Sequence, residues 1–567
     1  MNKLLICLLA SVALGSIVPA MAQDVASAEP VVNPIIIAPP QTALARTIKD
    51  ALSAAYYGAG RDSDGYAEAQ KLYFFYGARH FEPIWLSQSA DGALSFSPTA
   101  ENVIKLFKDA AREGLRPSDY LTPDLDPAAA ARDPAKMAAL ETAFSSAVVR
   151  YATHIHTGRL RPLSISENLD YTPKAIDATA LLTEMAASKT PEKILAALEP
   201  THPEFLALKA ALANFDESSQ TKTVQIPAGP TLKPGMSDAR VPLLRERLAL
   251  TDVPVDPLAY DDVVVAAIKT YQDAQGLDAD GIAGKSTLAA LNGGPSISRD
   301  DIIANMERWR WLPQDLGKFN VFVNIPQYTL VINTDGVPGY TTRVVVGATK
   351  HQTPIFSDNI RHIVVNPYWN VPSSIIRNEI APKTRTNPGY IAGQNMELLY
   401  NGNVVSASQV DWSAAGNSFP FSVRQKPGAG NALGQIKFLF PNKHDVYLHD
   451  TPSKSLFSRA YRAYSHGCVR VQNPMDFAQA LTANETHINR ASLEAMFGAK
   501  ERWVNPDHQI PVHLTYFTLR VEADGSLKSY DDIYGHNAEV IAALNKGQVT
   551  TEPAATVAEV ADQTPSP

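Results

Sequence analysis

At 567 residues the chain is too long for one hydrophobic core, so several domains are expected. Hydrophobic residues make up 45% and charged residues 19%, an ordinary globular balance. The net charge of −8 speaks against nucleic acid or an anionic membrane surface as the main partner.

Taken from the start, Lys3 supplies a short positive region, Leu4 to Val18 an apolar run, and Ala20-Met21-Ala22 a small-residue cleavage site before Gln23. Residues 1–22 therefore read as a signal peptide. The apolar run is short for a membrane span and Pro19 ends it, and no later segment is long and apolar enough to cross a bilayer. The expected mature protein is soluble and exported. Cys7 leaves with the signal, so Cys468 becomes the lone thiol and no intramolecular disulfide is possible. A single thiol in an oxidising compartment points to a reactive role over an inert, buried one.

Residues 23–45, rich in Ala, Pro and Val, read as a flexible leader, and 46–220 as a helical scaffold domain. Ser97-Pro98 opens a helix with apolar residues at Ala100, Val103, Ile104, Phe107, Ala110 and Ala111, ended by Gly114-Leu115-Arg116-Pro117. The aromatics Tyr73 to Tyr76, Phe81 and Trp85 are expected to build core, and His154 and His156 to be structural. A Pro- and Gly-containing linker follows at 221–237.

Residues 238–295 read as a compact helical unit. Leu243, Leu244 and Leu248 line one helix; Asp261 or Asp262 caps a second carrying Val264, Ile268 and Tyr271; a third runs from Ser286 to Leu291. The text from Tyr260 to Asn292 has an aromatic-Gln pair, then Gly-Leu, Asp-Gly and Gly-x-x-Thr. It resembles the three-helix peptidoglycan-binding domain found beside wall enzymes.

From 319 the periodicity changes to strands: "FNVFVNIPQYTLVIN", "TTRVVVGA", "RHIVVNPYWNVP", "GQIKFLF" and "DVYLHD" alternate apolar and polar residues. Residues 373–426 interrupt this pattern with Pro, Gly, Asn and Arg and read as a capping insertion over the cleft. Arg377, Lys383, Arg385 and Arg424, with Tyr390 and Trp412, are its candidate substrate contacts. "IPVHLTYFTLRVE" at 510–522 predicts one more strand in a C-terminal extension at 501–545, and 546–567 reads as a disordered tail.

The chemistry concentrates in His449-Asp450-Thr451 and, with fifteen residues between His449 and Ser465, Ser465-His466-Gly467-Cys468-Val469-Arg470. A cysteine nucleophile needs its thiolate populated, hence a nearby imidazole or positive field; His449 and His466 are candidates. Gly467 lets the backbone turn and a carbonyl approach, so N–H groups around Gly467 and Cys468 are candidate oxyanion donors. Arg470 can stabilise a thiolate or bind a carboxylate, and Tyr447 can position the base. His444, His449, His466 and Cys468 lack metal-ligand spacing, and Gly428-x-Gly430 lacks a strand-helix dinucleotide context, so no metal or cofactor is expected.

The histidine, the fifteen-residue gap and Ser-His-Gly-Cys-x-Arg are the signature of the L,D-transpeptidase family. "ANMERWRWLP" and "NPYWNVP" resemble its large multi-domain Gram-negative members. The resemblance implies a multi-domain α+β protein: a helical scaffold region, a three-helix peptidoglycan-binding domain, and a mostly-β catalytic domain at 319–500 with the capping insertion. It implies Cys468 as nucleophile and His449 as general base. His466 and Gly467 would shape the oxyanion region, with Ser465, Arg470 and Tyr447 supporting the site. Its implied reaction is periplasmic, forming a thioester on a stem tetrapeptide with release of D-Ala and transfer to an amine, giving 3→3 cross-links. Implied partners are stem peptides and glycan, and in some members a protein acceptor. Carbapenem trapping of Cys468 would separate a transpeptidase from a wall-binding scaffold without turnover. An L,D-carboxypeptidase remains an alternative; a papain-like hydrolase does not fit, because histidine precedes cysteine here.

Overall fold

The computed structural model describes residues 36–61, 63–89, 94–122, 125–130, 133–215, 224–274, 277–292, 297–411 and 419–546. The expected signal peptide, most of the leader, nearly all of the tail, and Trp412 lie outside the described residues. Among them, no helix is long and apolar enough to cross a membrane.

The N-terminal region is helical, apart from a hairpin of β1 (Leu86–Gln88) and β2 (Leu94–Phe96). Its core is aromatic, and Tyr73, Phe75, Tyr76, Phe81 and Trp85 are all buried as their clustering suggests. The Ser97 hydroxyl accepts from the Ala100 amide to start Pro98–Lys108, whose Ala100, Val103, Ile104 and Phe107 face inward. The α-helix stops at Lys108, and Ala110–Glu113 continues as a 3-10 turn closed by Gly114 at φ 68°. At the centre, the Glu141 carboxylate accepts from the Tyr76 hydroxyl at 2.7 Å and the Ile84 amide at 2.6 Å. His154 is structural: fully buried, bonded to the Tyr120 hydroxyl at 2.8 Å, and held by burial well below its ordinary pKa.

The second unit packs helices Val241–Arg247, Asp262–Ala274 and Lys285–Leu291 around a small core containing Leu244, Tyr260, Val264, Ile268 and Leu291. Asp261 caps the middle helix, accepting from the Val264 amide. Gln272 ties the three helices' turns together: its amide donates to Asp280, to the Ile282 carbonyl and to Thr287, and accepts from the Gly281 amide.

Helix Arg299–Trp311 joins the scaffold to the sheet-forming region. A Ser298–Asp301 capping box starts it, and Ile302, Met306, Trp309 and Trp311 enter the core of the sheet. Arg310 on the same helix reaches back, donating to the Glu113 and Ile155 carbonyls of the scaffold.

The sheet-forming region contains β3 (Phe319–Asn324), β4 (Thr329–Thr334), β5 (Val337–Gly347), β6 (Phe356–Ile360), β7 (His362–Val365) and β8 (Trp369–Asn370). The insertion carries β9 (Met396–Tyr400), β10 (Asn403–Val405) and β11 (Ser422–Gln425). Then come β12 (Ile436–Leu439), β13 (Leu448–His449), β14 (Ala463–Ser465), β15 (Val469–Val471), β16 (Arg502–Val504) and β17 (Ile510–Thr515). One sheet runs β16-β7-β12-β13-β15-β5-β4-β3-β17-β6, with β14 also pairing β5. Arg361 alone separates β6 from β7, yet they stand near opposite ends of that path, so the sheet curls until the two meet. Inside the curl lie Val321, Leu330, Val344, Val346, Val365, Phe438, Leu448 and Val469. The stretch read as an extension supplies β16 and β17 to this sheet, and the predicted single strand at 510–522 breaks after Thr515.

The insertion folds on itself. Its sheet, β10-β9-β11-β8, and short helices over 373–393 enclose Val371, Ile375, Ile376, Ile380, Ile391, Leu398 and Val423. Of the basic residues expected to face substrate, Arg424 is committed within the cap, 2.6 Å from Glu397, and Lys383 lies over the Tyr390 ring.

Candidate active site

Alternation along the paired strands puts the polar residues of the motif on one face. In the register, Lys437 of β12 stands beside His449 of β13, which stands beside Arg470 of β15; Phe438, Leu448 and Val469 occupy the opposite, inward phase. Tyr447 and Cys468 continue that polar phase one step earlier, linked by the Val469 amide donating to the Tyr447 carbonyl. The Tyr447 and His449 rings meet edge to face at 5.7 Å.

Cys468 follows a tight turn. Ser465 is buried, and its hydroxyl donates to the Cys468 carbonyl while accepting from the Gly467 amide at 3.1 Å. Gly467 sits at φ 114°, where a side chain would be strained, and its carbonyl accepts from the Thr353 hydroxyl at 2.7 Å. Thr353 in turn receives the Gly347 amide, and the Tyr534 hydroxyl donates to the Gly347 carbonyl at 2.6 Å. The turn is thus fastened from three directions. Because the Gly467 amide is engaged by Ser465, it is no free oxyanion donor; among the described residues the Cys468 amide makes no hydrogen bond.

His449 is buried, and its Nδ1 meets the Asp450 carbonyl, which leaves Nε2 as the lone-pair nitrogen. The Asp450 carboxylate is anchored by the Gln435 and Thr451 amides and by Lys454. A Cβ at Gly434, where φ is 61°, would strike that carboxylate.

Electrostatics depart from the expectation of a populated thiolate. Burial pushes the Cys468 thiol up to about 11; the Tyr447 amide and hydroxyl and the Arg470 charge only partly oppose it. Burial first, then Arg470, holds the His449 imidazole down at about 3, with Lys437 adding to the depression. The resting pair is therefore a neutral thiol and a neutral imidazole. Arg470 is half-buried with its Nε enclosed and without a hydrogen-bond partner. Lys437 is buried, its ammonium near the Tyr447 and Trp503 rings and depressed by burial. Among the described residues neither cation forms an ion pair with a carboxylate, although Glu501 lies close enough to Lys437 to oppose the depression.

His466 points elsewhere: its Nε2 lies 2.8 Å from Glu379 of the cap, and its ring stacks on His351 at 4.7 Å. His444, weighed as a metal ligand, meets Asp170 of the scaffold at 2.7 Å. The segment Asn168–Tyr171 straps the scaffold to both loops beside Cys468. Asn168 and Asp170 exchange backbone hydrogen bonds with Ile355, and Asp170 also pairs with Lys443. The loop so held supplies Asp445, whose carbonyl accepts from the Cys468 thiol at 3.7 Å. Thr353, Tyr534, Asp170, Lys437 and Glu379 were not found from sequence. Only Lys437, a lysine in the polar phase of "GQIKFLF", left a local signal there.

Comparison with known families divides the chain in three. Residues 70–212 match a scaffold domain, 238–291 a peptidoglycan binding domain, and 318–489 the L,D-transpeptidase catalytic domain. A Haemophilus influenzae protein described as an L,D-transpeptidase is 37% identical over 239 residues, covering 42% of this chain. The match spans about half of that relative, 48% of its length. Among solved structures, an L,D-transpeptidase from Mycobacterium smegmatis aligns at 14% identity over 35% of this chain and 58% of its own, TM-score 0.18. One from Stackebrandtia nassauensis aligns at 16% identity over 52% and 97%, TM-score 0.19. Overlaps that low say nothing about activity.

Proposed function

Since the chain carries an L,D-transpeptidase catalytic domain beside a peptidoglycan binding domain, we propose that it is a periplasmic cysteine L,D-transpeptidase that cross-links stem peptides. The observation that carries the reading is the single polar sheet face on which Cys468, His449 and the unpaired Arg470 stand together. Arg470 and Lys437 receive an anionic donor tetrapeptide. Its negative charge offsets the share of the His449 depression that these cations cause, and the share due to burial remains. His449 Nε2 then takes the thiol proton as sulfur attacks the L-centre carbonyl of the third residue. The Cys468 amide faces the developing oxyanion, where one such donor is worth about 10² to 10³ in rate. D-Ala leaves with the proton, and an amine resolves the thioester to a 3→3 link. The cap orders the stem peptide over the cleft, and the helical binding unit holds the glycan.

Incubating purified protein with tetrapeptide muropeptides should release D-Ala and yield dimers of the mass expected for 3→3 linkage. Release of D-Ala without dimers would instead mean a carboxypeptidase, and neither product would overturn the reading.

A further inference from the structure

The donor half of the proposed site is cationic, and that raises a question about the second substrate. An amine acceptor arrives as an ammonium ion, which Arg470 and Lys437 repel. It must also lose a proton before it can attack. The acidic groups near the nucleophile are mostly committed. Asp450 is anchored by backbone amides and Lys454. Glu501 accepts from the Tyr368 amide and the Trp503 indole.

Glu379 is different. It lies in the widened π-helical turn Ile376–Ile380 of the cap, a turn type that recurs at functional sites. Its carboxylate is 44% exposed and touches His466, 39% exposed, two residues before the nucleophile. His466 is backed by the stacked His351 ring, which faces Lys350 and Glu379. A half-open carboxylate paired with a half-open imidazole is built to hold a cation and to take a proton from it.

Resting on the transpeptidase reading, we propose that Glu379 and His466 bind the acceptor's amine and deprotonate it. The ammonium hydrogen-bonds to Glu379 and passes one proton to His466, whose cation Glu379 then neutralises. The free amine forms a C–N bond to the thioester carbonyl, and the C–S bond breaks. The second amine proton returns to the departing Cys468 sulfur through His449, and His466 releases its proton to solvent. Donor and acceptor are thus received by groups of opposite charge.

The test separates the two half-reactions in the full chain. Tetrapeptide muropeptide serves as donor, and a second muropeptide bearing a free side-chain amine is titrated as acceptor. Glu379→Gln should leave the first-turnover burst of D-Ala within about twofold, raise the acceptor KM about tenfold or more, and shift product from dimer to hydrolysed tripeptide. Glu379→Lys should deepen the loss of dimer, because it repels the ammonium. Equal loss of the first-turnover D-Ala burst and of dimer would make the pair a mere cap latch and overturn the proposal, as would an unchanged product ratio. A wild-type chain that forms no acyl-enzyme fails at the earlier step, so that outcome refutes the transpeptidase reading and not this pair alone.

Discussion

In the peptidoglycan-binding unit, every prominent polar residue of the motif is consumed by the fold. Gln272 is 2% exposed and joins Asp280, Gly281 and Thr287 in one hydrogen-bond lock. In the catalytic unit, Ser465 and Gly467 are consumed in the same way by their turn. Around them, however, among the described residues Arg470 keeps an unpartnered buried Nε, Lys437 forms no ion pair, and the Cys468 amide makes no hydrogen bond. Two equally specific motifs therefore carry different content. A satisfied polar group explains a shape, whereas a buried unsatisfied one is costly unless a ligand completes it.

The largest effect should come from Cys468→Ala, which removes both alkylation and muropeptide turnover while leaving thermal unfolding unchanged. Turnover surviving in that variant would sink the mechanism. His449→Ala should follow, slowing acylation by about 10² to 10⁴. A time course at wild-type speed would reassign the base.

Titration offers a sharper contrast. With the thiol near 11 and His449 near 3, a thiolate-selective alkylating reagent should react about tenfold faster for each pH unit between 7 and 10. The sign follows from deprotonation: raising pH makes thiolate, and no group of this pair titrates between 5 and 8. A plateau already reached at pH 7 would mean a preformed ion pair instead.

Asp170→Ala should be milder, lowering muropeptide turnover about tenfold because the loop carrying Asp445 loses its strap to the scaffold. Unchanged kinetics would reduce the scaffold to a spacer. The smallest effect on turnover belongs to Gln272→Ala. It should destabilise the binding unit by about 1–3 kcal/mol, read as an earlier unfolding transition, while soluble muropeptide is processed at the normal rate. A drop in turnover there would erase the contrast between the two motifs.

Much of the site was legible because its residues are neighbours in the chain. Ser465 to Arg470 form one turn and one strand, and period-two alternation suffices to place Tyr447 with His449. Gly467 announced a turn, and the turn is there at positive φ. The oxyanion donors were only half legible: two amides were in prospect, and Ser465 removes one of them. The cap was visible as a break in strand pattern, but Arg424, expected to face substrate, is paired with Glu397, which no spacing rule would suggest.

Composition, motif spacing and hydrophobic period, by themselves, determined the order of units, the aromatic core of the helical region, the strands and the nucleophile's neighbours. These are properties of residues a few positions apart, and the backbone's repeats of 2 and 3.6 residues carry them faithfully. The protonation of Cys468 and His449, the isolation of Arg470, and the reach of Asp170 and Glu379 were decided only by tertiary structure. The contacts of Asp170 and Glu379 cross long stretches of chain, and the protonation of Cys468 and His449 depends on how deeply the whole fold buries them. Burial and unpaired charge are sums over the whole surroundings, and no local window contains them.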